Sequence, residues 1–315
     1  MRAIVLGSAA GGGFPQWNCG CPNCVAVREQ RPGYMQRTQD SLAITASVEP
    51  SHSGHARFAL VNASPDILTQ IQKTPALWPR APRHSPIAAI VLTNGDMDHV
   101  LGLFSLRESY PLALYTTASV RRGLEESAFI RTLRRFEGQL VMREIVLGQT
   151  IDLAGADGAP LGLSMIASPM SGKLPVHFVG HAKGAPEDNI ALAFTDGQGR
   201  SLMYAAAGAS ADVDLEGHDV VLFDGTFHRE DELVRLGLSK SYARDMAHVP
   251  IEGENGSLAR LSGLKARRIY THINNTNPIL APDSEERRAV ENAGWEIAWD
   301  GMEIVLEGGK DGSRP

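Results

Sequence analysis

Residues 87–99 read IAAIVLTNGDMDH. The opening IAAIVL is an unbroken apolar run of about one strand's length, and a run without polar alternation belongs to a strand covered on both faces. The TNGDMDH that follows projects from the mouth of that strand, and HVLGLFSLRES from His99 carries a helical period. In α/β proteins this mouth is where ligands bind. Asp96, Asp98 and His99 crowd two carboxylates and an imidazole together, a group that repels itself unless a cation sits among its members. The alternative for the same residues is a solvated Asx turn capping the helix.

Strands read outward from this stretch in both directions. RAIVLGS from Arg2, SLAITASV from Ser41 and RFALVNA from Arg57 precede it, with a helix at SPDILTQIQ that takes Ser64 as N-cap and Pro65 as its first residue. After Pro111 come a strand at LALYTT, a helix at SVRRGLEES and a more irregular stretch to about Leu147. A second series follows at LGLSMIA from Leu161, IALAFTD from Ile190, SLMYAAA from Ser201, DVVLFDG from Asp219 and RRIYTHI from Arg267. A helix at DSEERRAVENAG and a strand at MEIVLEG close the chain. Two series of strands, each closed by helices and with no Ser/Gly-rich linker between, predict an α/β fold. The expected architecture is an αββα sandwich, two mixed β-sheets flanked by helices, as one domain over residues 1–315.

Further polar groups stand at strand ends: Asp224 in VLFDGTFH, His248 in the loop MAHVPIEG, and His272 in YTHINNTNP beside Asn274, Asn275 and Asn277. Singly each has a bland reading as a capped strand end or a hydrogen-bonded histidine. Jointly, acidic and imidazole groups repeated at strand ends of a sandwich converge on one edge. His177 and His181 lie in a loop that can reach the same edge, whereas His52, His55, His84, His218 and His228 read as solvent-facing.

All three cysteines fall in GSAAGGGFPQWNCGCPNC, residues 7–24. The glycines are contiguous and no helical period follows, which argues against a dinucleotide fingerprint. Cys19, Cys21 and Cys24 form a C-x-C-x-x-C knuckle suited to one tetrahedral zinc, with a fourth ligand required from elsewhere. A disulfide framework would spread its cysteines along the chain. At 315 residues, 43% hydrophobic and 21% charged, with a net charge of −6, the composition is that of a globular protein. It gives no electrostatic footprint for nucleic acid and no run long enough to span a membrane. The apolar N-terminal run is too short for a signal peptide, so the chain reads as cytoplasmic, and it is compatible with a homo-oligomer.

TNGDMDHVLGLFSLRE is similar to the metal-binding stretch of the metallo-β-lactamase superfamily, usually H-x-H-x-D-H after a strand ending in threonine. More closely, the glycine and cysteine opening, NASPDI, DNI, DGT, HINNTNPIL and DGM together resemble the coenzyme PQQ synthesis protein B family from residue 3 to about residue 306. The resemblance implies the αββα fold and a place in making pyrroloquinoline quinone (PQQ) from a peptide precursor whose tyrosine ring is joined to glutamate. The chain departs from the superfamily where Asn94 and Asp96 replace the two leading histidines. SPMSGKLP and MYAAAGAS also lack the usual third-motif histidine and bridging aspartate. A two-zinc hydrolytic site is thereby dismantled. The surviving imidazoles and carboxylates suit a non-haem Fe(II) oxygenase, although another divalent metal fits them too.

These implications lead to an iron-dependent hydroxylase acting with O2 on a small tyrosine- and glutamate-derived PQQ precursor. Asp96, Asp98 and His99 are the expected catalytic residues, with Asp96, His177 or His181 relaying protons. Asn274, Asn275 and Asn277 are expected to hold substrate carboxylates. A carrier for PQQ or its precursor that assists transport, and a hydrolase of the precursor, are the other classes. Superfamily relatives complete a cysteine zinc with a histidine three residues beyond their last catalytic histidine, a position held here by Asn275. The expected structural zinc therefore takes Cys19, Cys21, Cys24 and His272, and the active metal takes Asp98, His99, Asp224 and His248. The reverse assignment of His272 stays open.

Overall fold

A computed structural model describes residues 1–48, 56–178, 184–206, 208 and 213–307. The first half of the chain forms β1 (Arg2–Gly7), α1 (Pro22–Arg28), β2 (Ser41–Thr45), β3 (Phe58–Val61), α2 (Ile67–Lys73), β4 (Ile87–Val91) and α3 (Met97–Val100). It continues through β5 (Leu112–Thr117), α4 (Ala118–Leu124), α5 (Ala128–Leu133) and β6 (Leu140–Ile145). The second half forms β7 (Thr150–Ala154), β8 (Pro160–Pro169), β9 (Ile190–Asp196), β10 (Ser201–Ala205) and β11 (Val220–Asp224). The chain ends with α6 (Glu232–Arg235), α7 (Ser257–Arg260), β12 (Arg267–Thr271), α8 (Glu285–Asn292), β13 (Trp295–Ile297) and β14 (Glu303–Val305).

The strands build two sheets of seven, ordered β14-β1-β2-β3-β4-β5-β6 and β13-β12-β11-β10-β9-β8-β7. Both are mixed: pairing is parallel from β3 to β6 and from β10 to β13, and antiparallel elsewhere. Side chains alternate as strand geometry requires. On β4 and just beyond it, Ala89 and Val91 enter the core between the sheets, while Ile90 and Leu92 enter the outer core with Val100, Leu103, Leu124 and Ile130 from the helical layer. The second sheet is covered by a third cluster that includes Val27 and Val290. These layers are the expected αββα sandwich. Among the described residues, no helix is long and apolar enough to cross a membrane.

Several elements differ from the expectation. The helix after β3 begins at Ile67 with Asp66 as N-cap, because the Ser64 hydroxyl accepts from the Asp66 N–H and closes a local turn first. The helical period after His99 gives one α-turn and then a 3-10 segment at Leu101–Leu106. The irregular stretch before Leu147 holds α5 and β6, and β6 escapes pattern reading because it is a half-exposed edge strand without an apolar run.

The parallel strands β4, β11 and β12 deliver residues 93–99, Asp224 and His272 to one end of the sandwich. There α3 is bolted to the end of β3: Ala63 N–H donates to His99 O at 2.7 Å and Gly102 N–H to Ala63 O at 2.9 Å. A Cβ at Gly102 would stand 2.1 Å from Ser64 O and 2.7 Å from Ala63 O. Gly102→Ala is therefore expected to cost about 1–3 kcal/mol of stability, read as a lower Tm.

Candidate metal centre

The loop after β4 is shaped by its own polar side chains. Asn94 Oδ1 accepts from the Asp96 N–H at 3.0 Å, and the Asp96 carbonyl accepts from the N–H groups of His99 and Val100. This is the Asx turn weighed as the alternative, and it leads into α3 while presenting Asp98 and His99. Thr93 Oγ1 lies 3.0 Å from Asn62 Oδ1 and 3.3 Å from His99 Nδ1. Once Thr93 gives its one hydroxyl proton to Asn62, Nδ1 of His99 becomes the donor to Thr93 and Nε2 carries the free lone pair. That Nε2 is buried, has no hydrogen-bond partner and sits 3.8 Å from Asp98 Oδ2.

The second sheet supplies a matching half. Asp224 is fully buried at the end of β11, with Oδ2 2.9 Å from His248 Nδ1. Its Oδ1 accepts from Thr226 Oγ1 at 2.6 Å and lies 3.5 Å from His272 Nδ1. His272 leaves β12 in the left-handed region at φ 54°, where a non-glycine residue is uncommon. Thr226 Oγ1 is 2.8 Å from His272 Nδ1. With the threonine proton on Asp224, His272 donates from Nδ1 and turns Nε2 toward Asp98 Oδ2, 3.7 Å away. The ligand atoms of Asp98, His99 and His272 all lie within 4.8 Å of one another, as do those of Asp224, His248 and His272.

Electrostatics at this end call for positive charge. Burial opposes charge on Asp98, but His99 and His272 outweigh it and hold the carboxyl well below the usual range. On Asp224, His248 and His272 likewise outweigh burial. Burial lowers His99 to about 4 against the pull of Asp98. For His272 burial is overcome by Asp224, Asp98 and Asp40, which raise its pKa. Asp96 is pushed up to about 6 by burial and by Asp98, with His272 and His248 pulling back. The glycine run lies over the cluster: a Cβ at Gly11 would sit 3.1 Å from Asp98 Oδ2. The orphaned, buried Nε2 of His99, the Nε2 of His272 and a carboxylate oxygen of Asp98 together fit a divalent ion.

The expected sharing of ligands is corrected at three points. His272 stands between Asp98 and Asp224 rather than with the cysteines, because its left-handed backbone turns the ring to the sheet end. Asn275 occupies the cysteine knuckle instead, with Nδ2 3.1, 3.6 and 3.3 Å from the Sγ atoms of Cys19, Cys21 and Cys24. The asparagines expected to hold substrate are largely engaged elsewhere. The buried Asn277 donates to Gly225 O and accepts from Ile279 N, and the half-buried Asn274 donates to Thr276 Oγ1 at 2.6 Å. His177 is half-buried beside Phe178, whose ring packs on Gly95, and its Nε2 has no hydrogen-bond partner. His181, His52 and His55 lie outside the described residues. His228 is buried rather than solvent-facing, its N–H donating to Glu232, while His84 and His218 are half-buried. Asn62, Thr93 and Thr226, which orient the histidines, were not singled out in the sequence; the only signal was their place at strand ends.

The sequence matches the Beta-lactamase superfamily domain over residues 57–273. It is 42% identical to coenzyme PQQ synthesis protein B of Methylobacterium nodulans, covering 97% of this chain and 100% of the relative. The Rhodopseudomonas palustris protein of the same name is 40% identical with the same coverage. The chain belongs to the coenzyme PQQ synthesis protein B family. A crystal structure of a Zn2+-bound family member, PqqB from Methylobacterium extorquens, superposes with a TM-score of 0.86 at 37% identity, covering 97% of this chain and 100% of that one. A diphosphatase of the PhnP family, with a TM-score of 0.64 at 22% identity over 97% of this chain and 98% of its own, shares the fold.

Thr226→Val removes the hydroxyl that serves Asp224 and His272 and leaves buried acceptors unpaired. It is expected to cost about 1–3 kcal/mol by urea denaturation, whereas Thr226→Ser retains most of the wild-type stability.

Proposed function

We propose that this protein acts in PQQ synthesis as a metal-dependent oxygenase that hydroxylates the ring of a small tyrosine-derived precursor. The observation that carries this reading is the convergence of Nε2 of His99, which has no hydrogen-bond partner, with Nε2 of His272 and Oδ2 of Asp98, the donor set of a 2-His-1-carboxylate site. These three residues would hold Fe(II). Asp224 and His248, expected as ligands from the sequence, would serve behind them. A bound Fe(II) supplies one-electron chemistry with O2 and open coordination positions.

The chain's own residues would do the remaining work. Asp224 orients His272 through Nδ1 and aligns His248, whose ring stacks on His272 at 5.7 Å. With Nδ1 held by Asp224, the half-buried His248 keeps Nε2 to take or return a proton of a phenolic substrate. The Asp96 carboxylate, close enough to feel Asp98, His272 and His248, is a second proton acceptor on the same side. Hydrolysis is disfavoured because Asn94, in place of a superfamily histidine, is buried with its oxygen turned to the Asp96 N–H. We also propose that Cys19, Cys21 and Cys24 hold a structural zinc with Asn275 at the fourth position, its amide turned so that Oδ1 faces the ion.

The test loads the protein anaerobically with Fe(II), adds a glutamate-joined tyrosine precursor and ascorbate as the two-electron reductant, and admits isotopically heavy O2. Product carrying the label from O2 is the expected result. Label from water without O2 means a hydrolase, and binding without turnover means a carrier. Asp98→Ala and His99→Ala should abolish turnover and Fe(II) binding while retaining one zinc per chain. Cys21→Ser should lose that zinc together with solubility, and activity lost from a well-folded, zinc-replete Cys21→Ser protein contradicts the division of roles.

A further inference from the structure

We propose that Asp40, outside the ligand set and on the opposite sheet, is a positioning residue that fixes His272 in its metal-binding orientation; this rests on His272 being a ligand. Asp40 stands immediately before β2 and is 1% exposed. Its Oδ1 accepts from Thr271 Oγ1 at 3.0 Å, and its Oδ2 accepts from the Tyr204 hydroxyl. Thr271 ends β12 and Tyr204 lies on β10, so one carboxylate from the first sheet reaches across the interior to two strands of the second.

Packing alone gives no reason for a carboxylate at this position, since burying one between sheets is unfavourable unless its partners compensate. Its placement gives one. His272 takes φ 54° directly after Thr271, so the direction of the imidazole depends on where Thr271 is anchored, and the Asp40 hydrogen bond is the side-chain anchor on that residue. Burial pushes Asp40 up to about 7, with the His272 ring and Thr271 pulling back and Asp98 and Asp224 adding to the rise.

The test measures the Fe(II) dissociation constant by anaerobic competition with a chelator, with Tm and cysteine-bound zinc followed in parallel, for the wild type and for Asp40→Asn, Thr271→Val, Thr271→Ser and His272→Ala. Asp40→Asn and Thr271→Val should weaken Fe(II) binding by roughly 10–100-fold in protein that still melts cooperatively and holds its zinc. Thr271→Ser, which keeps the hydroxyl, should restore it. Wild-type affinity in folded Asp40→Asn, or equal affinities in the two Thr271 variants, overturns the proposal if His272→Ala loses the ion. If His272→Ala binds Fe(II) as tightly as the wild type, the assignment of His272 as a ligand fails instead.

Discussion

Two carboxylates, Asp98 from the first sheet and Asp224 from the second, lie on opposite nitrogens of one imidazole, His272. Asp224 is fully buried and Asp98 half-buried, and like charges brought this close at the edge of a low-dielectric interior destabilise the fold unless positive charge lies between them. In the bare protein that charge falls to His272, which is why its pKa rises despite burial. Closing the two sheets at this end and drawing a cation to it are therefore one physical requirement. Gly11 reflects the same crowding, since its missing Cβ leaves the N-terminal loop room against Asp98.

The turn from His272 to Asn277 ties the two clusters together. His272 faces the carboxylates, Asn275 faces the three sulfurs, and Asn277 is hydrogen-bonded to Gly225 beside Asp224. From the other side Asn23 of α1 donates to the carbonyls of Asn275 and Asn277. The cysteine knuckle thus braces the backbone that carries His272. This explains why the chain's whole cysteine supply sits near the N-terminus while its partner lies after β12: the knuckle ties distant segments together at the site rather than stabilising a local loop.

The strands and the residues of the centre were legible where a pattern carries a unique meaning. IAAIVL announced a doubly covered strand, and the acidic and imidazole groups at the ends of β4, β11 and β12 announced a shared edge. The allocation of His272 was not legible, because the cysteine knuckle lacked a fourth ligand and chain spacing says nothing of ring direction. That direction is set by one left-handed residue. Thr93, Thr226 and Asp40 gave little signal because a lone hydroxyl or carboxylate becomes informative only when burial and partners are known. His228 was misread for the same reason, and β6 because an edge strand need not be apolar.

Chemically, the arrangement separates itself from a hydrolytic centre through what its polar groups are doing. A two-metal hydrolase needs imidazoles on both ions and a carboxylate between them to clamp a bridging hydroxide. Here Asn94 stands in place of a superfamily histidine and shapes the loop, its amide oxygen accepting from the Asp96 N–H. The hydroxyls of Thr93 and Thr226 hold the rings of His99 and His272 so that both Nε2 atoms turn toward the same oxygen of Asp98. His248, stacked against His272 and aligned by Asp224, lies beside this group. The proposed oxygenation rests on this donor set of two imidazole nitrogens and one carboxylate oxygen.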